Sequence, residues 1–288
     1  MLAGVASKPS ISIVGPGRLG QALAENLVGA GYAVGEIVFP SVRSLRKNRR
    51  NLSRRLWNRA TVIDQARFDA DLVWLCVPDG RIQKAAQNLR SVTKWKNKVV
   101  FHSSGALTSD ALQPLRKQGA SVASAHPLMS FVHGSQPDLK NVPFALEGDP
   151  AAVRMARQII KSLGGDAFVV RKQDKTRYHA WGTLLSPLLL SFMVAAEQVA
   201  RATGISAKDA RKRMIPITRQ TLSNYASIGP AGAFSGPLVR GDAAVVREHL
   251  EALKGIPEAH AVYIASARAA LRHLPVRNRK QLEKLLKG

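Results

Sequence analysis

Short apolar runs alternate with amphipathic segments as far as residue 170, and the remainder of the chain has only helical periodicity. Runs rich in Val, Ile, Leu and Phe that end at Gly, Pro or Asp are typical of buried strands. Such runs predict strands at residues 11–14, 36–39, 61–63, 72–77, 98–103, 121–125, 144–147 and 167–170. Apolar residues spaced three and four apart predict helices between the strands at residues 18–29, 80–89, 109–117 and 150–163.

The alternation of strand and helix predicts an α/β fold with a doubly wound, mostly parallel sheet. After the last strand, helical periodicity predicts an all-α C-terminal domain with helices at residues 174–203, 206–227, 241–253 and 258–272. The change of character near Arg171 divides the chain into a first domain of residues 1–171 and a helical substrate or dimerisation domain of residues 172–288.

A glycine-rich turn joins the first strand to the first helix. Its sequence is Gly15-Pro16-Gly17-Arg18-Leu19-Gly20. In this pattern the first Gly allows a tight turn, the second lets the backbone approach a pyrophosphate, and the third lets the helix pack on the strand. The free N–H groups at the helix start attract the anion. The turn therefore predicts a Rossmann-like dinucleotide-binding domain with these six residues at the cofactor, although a turn that only packs is the alternative.

The second predicted strand indicates which dinucleotide is bound. NAD-binding domains place a carboxylate at the end of this strand, where it accepts hydrogen bonds from the ribose. Here Ser41 and Arg43 follow the strand, and a hydroxyl with a guanidinium suits the 2′-phosphate of NADP(H). The alternative is that Arg43 simply begins a basic loop.

Two further strand ends are candidate contacts of the nicotinamide. Val77-Pro78 ends the fourth predicted strand and Ser104-Gly105 follows the fifth. We expect both at the edge of the sheet where the nicotinamide ribose passes, with Ser104 also near the substrate. Ordinary turn chemistry explains Pro-Asp and Ser-Gly equally well.

The formal net charge of +24 is extreme, and much of it is clustered. A basic stretch between Arg43 and Arg59 holds eight Lys and Arg residues, and a second basic group lies near the C-terminus. Such clusters can bind polyanions, but no recognisable nucleic-acid module accompanies them. Cys76 is the single cysteine, which excludes a disulfide framework and fits a reducing cytoplasm. The histidine spacing predicts no metal site.

Residues 180–196 form the longest uncharged apolar stretch. This stretch is short for a membrane span, and the first ten residues lack the apolar core of a signal peptide. Because the stretch is apolar around most of a helix, we expect a buried or interface helix and a homodimer formed through the helical domain.

Several motifs together resemble a bacterial family of predicted oxidoreductases. Besides the glycine-rich turn they are Val77-Pro78-Asp79, His102-Ser103-Ser104-Gly105-Ala106-Leu107, His126-Pro127-Leu128-Met129-Ser130-Phe131, Lys175-Thr176-Arg177-Tyr178-His179-Ala180 and Gly236-Pro237-Leu238-Val239-Arg240-Gly241-Asp242. The family joins a Rossmann-like domain to a helical domain of unknown function and is labelled deazaflavin-dependent NADP oxidoreductase-like. It looks related to pyrroline-5-carboxylate reductases, ketopantoate reductases and β-hydroxyacid dehydrogenases. The resemblance implies NADP as cofactor and leaves the substrate open.

Lys175 and His179 are the first candidates for proton transfer, since four-residue spacing places them on one face of a helix. The resemblance implies that Lys175 matches the general acid of the β-hydroxyacid dehydrogenases, with His179 where those enzymes have Asn. A partly desolvated Lys has a lowered pKa and can donate a proton near neutrality. The alternative is a solvated first helical turn.

His126 could hydrogen-bond a substrate carbonyl, or it could be a satisfied buried imidazole in a His-Pro turn. Arg240 could bind a substrate carboxylate, whereas Asp242 fits an N-cap. We expect an NADP(H)-dependent oxidoreductase acting on a small, carboxylate-bearing carbonyl or imine substrate. The alternatives are a non-catalytic NADP(H)-binding sensor or scaffold, and a polyanion-binding protein using the basic clusters.

Overall fold

A computed structural model describes residues 8–132, 135 and 137–287. Within these residues eight strands form one sheet, in the order β3-β2-β1-β4-β5-β6-β7-β8. The strands are β1 (Ile11–Val14), β2 (Val34–Phe39), β3 (Ala60–Val62), β4 (Leu72–Leu75), β5 (Val99–His102), β6 (Ser121–Pro127), β7 (Pro143–Gly148) and β8 (Asp166–Val169). All neighbouring strands are parallel except β6 and β7. The predicted doubly wound, mostly parallel sheet is confirmed.

The helices follow the sequence pattern with several departures. They are α1 (Arg18–Gly29), α2 (Val42–Lys47), α3 (Arg54–Trp57), α4 (Asp79–Leu89), α5 (Gln113–Arg116), α6 (Pro150–Ser162), α7 (Lys175–Leu185), α8 (Pro187–Ala202), α9 (Ala207–Ala233), α10 (Pro237–Arg240), α11 (Ala243–Leu253), α12 (Pro257–His273) and α13 (Arg279–Leu285). The short helices α2, α3, α10 and α13 are absent from the sequence prediction.

Two predicted helices are wrong in detail. The single helix expected over residues 174–203 is broken at Ser186, whose φ of −125° and ψ of −82° leave the helical region. Pro187 explains the break, because proline removes an N–H donor and disfavours helical backbone in the preceding residue. The helix expected over residues 109–117 is a 3₁₀ turn (Ser109–Leu112) followed by α5.

The sheet carries an apolar core on each of its faces. Ile13, Trp74 and Phe101 belong to one cluster, in which the rings of Trp74 and Phe101 meet edge to face at 5.3 Å. Val73 and Val100 belong to the cluster on the other face. Both faces are covered, as parallel sheets require, so the exposed carboxyl edge of the sheet is where polar groups gather.

The chain forms two compact units, Met1–Ser186 and Pro187–Gly288. The predicted boundary between residues 171 and 172 falls inside the first unit, because α7 buries Lys175 and Tyr178 there. In the second unit α8 packs against both α9 and α12. A separate apolar cluster joins α11, α12 and α13 around Val246, Leu271 and Leu282.

Large apolar side chains are exposed on α7 in the first unit and on α8 and α9 in the second. They include Leu184, Leu185, Leu190, Phe192, Ile217, Leu222 and Ile228. Of the two alternatives predicted for residues 180–196, burial within the single chain is wrong, and an interface helix stays a prediction. By length and composition alone, Lys172–Ala202 could also cross a membrane, since an 18-residue window within it has a mean hydropathy of 1.5.

Candidate active site

The sheet topology creates a crevice at the carboxyl ends of β1 and β4. These strands are neighbours, but the chain continues from β1 toward β2 on one side and from β4 toward β5 on the other. Open α/β sheets bind ligands at such a switch point. A cavity of about 600 Å³ lies here, and the residues that line it include Gly15, Gly17, Ser44, Pro78, Arg81 and Lys84.

The three glycines of the turn have three different environments. Gly15 has a φ of +81°, and a Cβ there would lie 2.6 Å from Cγ1 of Val77. A Cβ on Gly20 would lie 2.9 Å from the carbonyl oxygen of Gly15, so this glycine is needed for close packing. A Cβ on Gly17 would meet no atom of the described residues within 4 Å. Gly17 alone therefore borders open space in the cavity.

The start of α1 suits an anion. Gly17 occupies the N-cap position and has no side chain to cap the first turn. Arg18 follows at the first helical position and is exposed, while Leu19 packs partly against the core. The carbonyl of Pro16 accepts a hydrogen bond from Nε2 of Gln21 at 2.9 Å, which fixes the turn. The first turn of α1 therefore has free N–H groups and no acidic residue that would compete with an anion.

We expect β2 and α2 to contact the adenosine part of the cofactor. Ser41 caps α2, with its Oγ accepting from the N–H of Ser44 at 3.2 Å, and Arg43 is exposed on the first turn. Ser44 of this helix and Asn48, its C-cap residue, are among the residues that line the cavity. The carboxylate of Glu36 on β2 accepts from the N–H groups of Arg67 and Phe68 at 2.9 and 2.8 Å. Glu36 is therefore already engaged and is not placed as a ribose ligand.

Arg81 and Lys84 add positive charge to the opposite wall of the cavity. Both lie on α4 and are exposed. The sequence pattern predicts this segment only as a helix. Arg81 and Lys84 are three residues apart and therefore lie on one face of α4. This spacing, directly after Val77-Pro78-Asp79, was the signal that could have predicted their place in the cavity wall.

A second polar cluster joins the ends of β5 and β6 to α7. Nζ of Lys175 donates to the carbonyl of Ser104 at 3.1 Å and to Oγ of Ser124 at 2.7 Å. The Ser124 hydroxyl in turn donates to the same carbonyl at 3.0 Å. Lys175 is only 1% exposed, and burial lowers its pKa from 10.5 to about 8. Its ammonium group is held inside the protein, beneath the surface of the cluster.

Ser104 links several residues of this cluster by hydrogen bonds. Its hydroxyl donates to Oδ2 of Asp79 at 2.7 Å and accepts from the N–H of Leu107 at 2.9 Å. Nδ1 of His102 accepts from the N–H of Ser104, and the other ring nitrogen of His102 donates to the carbonyl of Thr108. Burial lowers the pKa of His102 to about 4, so its ring is neutral. The side chain of Ser104 thus makes its contacts inside the protein.

Gly105 lies against two imidazoles. A Cβ at this position would lie 2.5 Å from Cδ2 of His179 and 2.9 Å from Nε2 of His126. Nδ1 of His126 is 2.7 Å from the hydroxyl oxygen of Tyr178. Burial, followed by the nearby charge of Lys175, lowers the pKa of His126 to about 3. Tyr178 is not among the site residues predicted from the sequence, although it lies three residues after Lys175 and therefore on the same helical face.

The fold therefore brings together Ser104, Gly105, His126, Lys175 and His179, while Arg240 lies in the second unit. Arg240 is exposed and pairs with Asp242 at 3.3 Å. Asp242 occupies the N-cap position of α11 but makes no side-chain cap hydrogen bond. Among the described residues no group of three or more His, Cys, Asp or Glu side chains could hold a metal ion.

Comparison with known families agrees with this architecture. A model of the Rossmann-like domain matches residues 5–127, and a model of DUF2520, a domain of unknown function, matches residues 142–270. The resemblance to proteins that join a Rossmann-like domain to a C-terminal domain of unknown function is confirmed. No curated protein sequence matches the chain.

Solved structures show the same fold at low sequence identity. A candidate NADP oxidoreductase from Bacteroides fragilis is 16% identical with a TM-score of 0.73, over 91% of this chain and 97% of that chain. A protein from Thermotoga maritima is 21% identical with a TM-score of 0.70, over 95% and 99% of the two chains. A reductive aminase from Aspergillus terreus in complex with NADPH and ethyl-5-oxohexanoate is 13% identical with a TM-score of 0.65, over 96% and 99%.

Proposed function

We propose that this chain, which carries a Rossmann-like domain followed by a DUF2520 domain, is an NADP(H)-dependent oxidoreductase. It transfers a hydride to or from a small carbonyl or imine substrate that bears a carboxylate. The observation that carries the proposal is the cavity at the β1/β4 switch point, where Gly17 alone of the three turn glycines borders open space. The presence of NADPH in the structurally similar reductive aminase supports the choice of cofactor.

The residues at the carboxyl edge of the sheet would hold the cofactor. The start of α1 would bind its pyrophosphate, because N–H groups and the helix dipole there favour an anion. Ser41 and Arg43 bind the 2′-phosphate, assisted by the positive potential of the basic stretch. Val77, Pro78 and Gly105 would contact the nicotinamide end of the cofactor.

The substrate lies above Gly105, next to His126 and His179. NADPH, when bound, supplies the hydride, and the residues of the chain orient and polarise the acceptor. Lys175 has a pKa of about 8, so most Lys175 side chains are charged at neutral pH. This positive charge stabilises negative charge that develops on the substrate. Lys175 is buried and donates a hydrogen bond to the carbonyl of Ser104. It is the candidate source of the proton that the substrate takes up.

Titration with cofactors is the first test of this proposal. We expect NADPH to bind at least about tenfold more tightly than NADH, which corresponds to roughly 1.4 kcal/mol. A panel of 2-oxo acids, cyclic imines and a deazaflavin is then assayed for NADPH oxidation. Equal affinity for the two cofactors would contradict the assignment of Ser41 and Arg43. Tight NADPH binding without turnover of any panel member would favour the alternative of a non-catalytic sensor.

A homodimer is the second part of the proposal. The exposed apolar side chains on α8 and α9 include Leu190 at 62% and Ile217 at 70% exposure, and several large apolar side chains exposed on neighbouring helices are typical of an interface. We assign these helices to contact with a second copy of the chain. The single cysteine, Cys76, fits a reducing compartment, and we propose a cytoplasmic location. Light scattering and a vesicle flotation assay distinguish a dimer from a membrane-bound monomer.

A further inference from the structure

We propose that Tyr178 fixes the tautomer of His126, so that the imidazole presents a neutral Nε2–H donor to the substrate's carbonyl oxygen or imine nitrogen. This inference rests on the proposed function for the identity of the acceptor. The arrangement of the two side chains is independent of that function and can be tested alone. Tyr178 is a positioning residue in this scheme, since it acts through His126.

The contact between the two rings is well defined. His126 follows the buried residue Ala125 on β6, and its Nδ1 is 2.7 Å from the hydroxyl oxygen of Tyr178. Tyr178 is only 7% exposed, and its ring meets those of Phe168 and Trp181 edge to face. These contacts hold the phenol in one orientation, so that the hydrogen bond to Nδ1 is maintained without a bound ligand.

The direction of this hydrogen bond follows from the partners available. Over residues 8–132, 135 and 137–287, His126 is the only hydrogen-bond partner of the Tyr178 hydroxyl. If Nδ1 of His126 carried the proton and donated it, the buried phenol hydrogen would have no acceptor in the protein, which is costly. Donation from Tyr178 to Nδ1 satisfies both groups. The proton of a neutral His126 then resides on Nε2.

The surroundings of His126 keep it neutral. The titratable groups that face it are Lys175, Tyr178 and His179 on α7 and His102 on β5. None of these is a carboxylate that would stabilise an imidazolium, and burial together with Lys175 lowers the pKa of His126 to about 3. Burial also raises the pKa of Tyr178, which therefore keeps its proton. Before the reaction, Tyr178 therefore carries a hydrogen on its phenol oxygen and His126 carries one on Nε2.

Nε2 is the ring nitrogen that faces the candidate substrate position. It lies 2.9 Å from the point that a Cβ of Gly105 would occupy, so the glycine allows the imidazole to pack closely against the chain after β5, beside the candidate substrate position. A preorganised neutral donor aimed at a carbonyl stabilises the negative charge that develops on the oxygen as hydride arrives. His126 in this role retains its proton. It differs from an imidazolium acid, which would need a pKa near the working pH.

Nitrogen NMR of the full-length protein with ¹⁵N-labelled histidine tests the inference without any substrate. We expect His126 to show an unprotonated Nδ1 and a protonated Nε2 at neutral pH. In Tyr178→Phe the two tautomers should become mixed. Tyr32→Phe is the matched control, because it removes a hydroxyl that contacts Ser162 at 3.1 Å from a ring that is 4% exposed. A protonated Nδ1 in the unmodified protein, or identical His126 signals in Tyr178→Phe, would overturn the proposal.

Kinetics supply a second readout once a reduced substrate is known. Tyr178→Phe should lower kcat by about tenfold, the scale of one misdirected hydrogen bond in the transition state, with NADPH affinity unchanged. The kcat of the unmodified enzyme should not fall as pH rises through about 6.5, where an ordinary imidazolium acid would lose its proton. If the NMR result holds but NADPH does not bind, the proposed function fails and the tautomer assignment stands. If NADPH binds but the tautomer is reversed, only this inference fails.

Discussion

Replacement of Gly17 by Val should separate cofactor binding from folding. The backbone at Gly17 has a φ of −73° and a ψ of −161°, an extended conformation open to any L-residue. A new Cβ there would meet no atom of the described chain within 4 Å. In the free protein the Cβ of the new valine therefore has open space around it, on the side of the cavity. In the complex it would occupy the space of the pyrophosphate.

The expected magnitudes differ strongly for the two properties. Replacing Gly at a compatible φ stabilises the folded protein by about 0.4–1 kcal/mol, because the unfolded chain has less conformational entropy. Loss of a favourable N-cap residue destabilises it by a similar amount. The free energy of unfolding should therefore change by less than about 1 kcal/mol. Loss of two charge-assisted hydrogen bonds to the pyrophosphate removes roughly 3–6 kcal/mol of binding energy. The Kd for NADPH should rise by about a hundredfold or more.

Gly20→Ala is the matched control, since it adds one methyl group to the same turn. Its Cβ would lie 2.9 Å from the carbonyl oxygen of Gly15, which is backbone and cannot move aside. Overpacking of about 1–3 kcal/mol outweighs the roughly 1 kcal/mol gained from helix propensity, so this variant should be the less stable one. Calorimetric titration with NADPH and urea unfolding measure both quantities. An unchanged NADPH Kd in Gly17→Val would show that the turn is only structural.

Three further predictions follow from the same geometry. Arg43→Ala should reduce the preference for NADPH over NADH by about 1–3 kcal/mol, the scale of a lost hydrogen bond to a charged group. Arg154→Ala on α6 is the control, and an unchanged cofactor ratio in Arg43→Ala would contradict the assignment. Lys175 titrates at about 8 in the folded protein against 10.5 in the unfolded chain, so the unfolded state binds more protons between these values. As pH rises from 8 to 10.5, the free energy of unfolding should increase by up to about 3 kcal/mol relative to that of Lys175→Met. Urea unfolding measures this difference, and the same pH dependence in the unmodified protein and in Lys175→Met would refute the burial of this lysine. Leu190→Glu should turn a dimer into a monomer near 31.2 kDa in light scattering, whereas a monomeric unmodified chain would refute the proposed interface.

Local sequence patterns were sufficient for most of the first unit. The bounds of β1 and α1 agree with the prediction, because a strand of aliphatic residues, a turn of three glycines and an amphipathic helix each have a strong local signature. The break at Ser186 was also encoded locally, by Pro187. It was missed because the apolar periodicity continues on both sides of the proline.

Other features depend on contacts between distant parts of the chain, which local patterns do not reveal. The pair of His126 and Tyr178 joins residues 52 positions apart, and the contact of Lys175 with the Ser104 carbonyl joins residues 71 positions apart. The sequence could nominate His126 and Lys175 by residue type. It could not show that Lys175 would be buried, or that Tyr178 would be the partner of His126. Those outcomes depend on how α7 packs over the ends of β5 and β6, because burial and hydrogen-bond direction are set by the groups that the tertiary fold brings together.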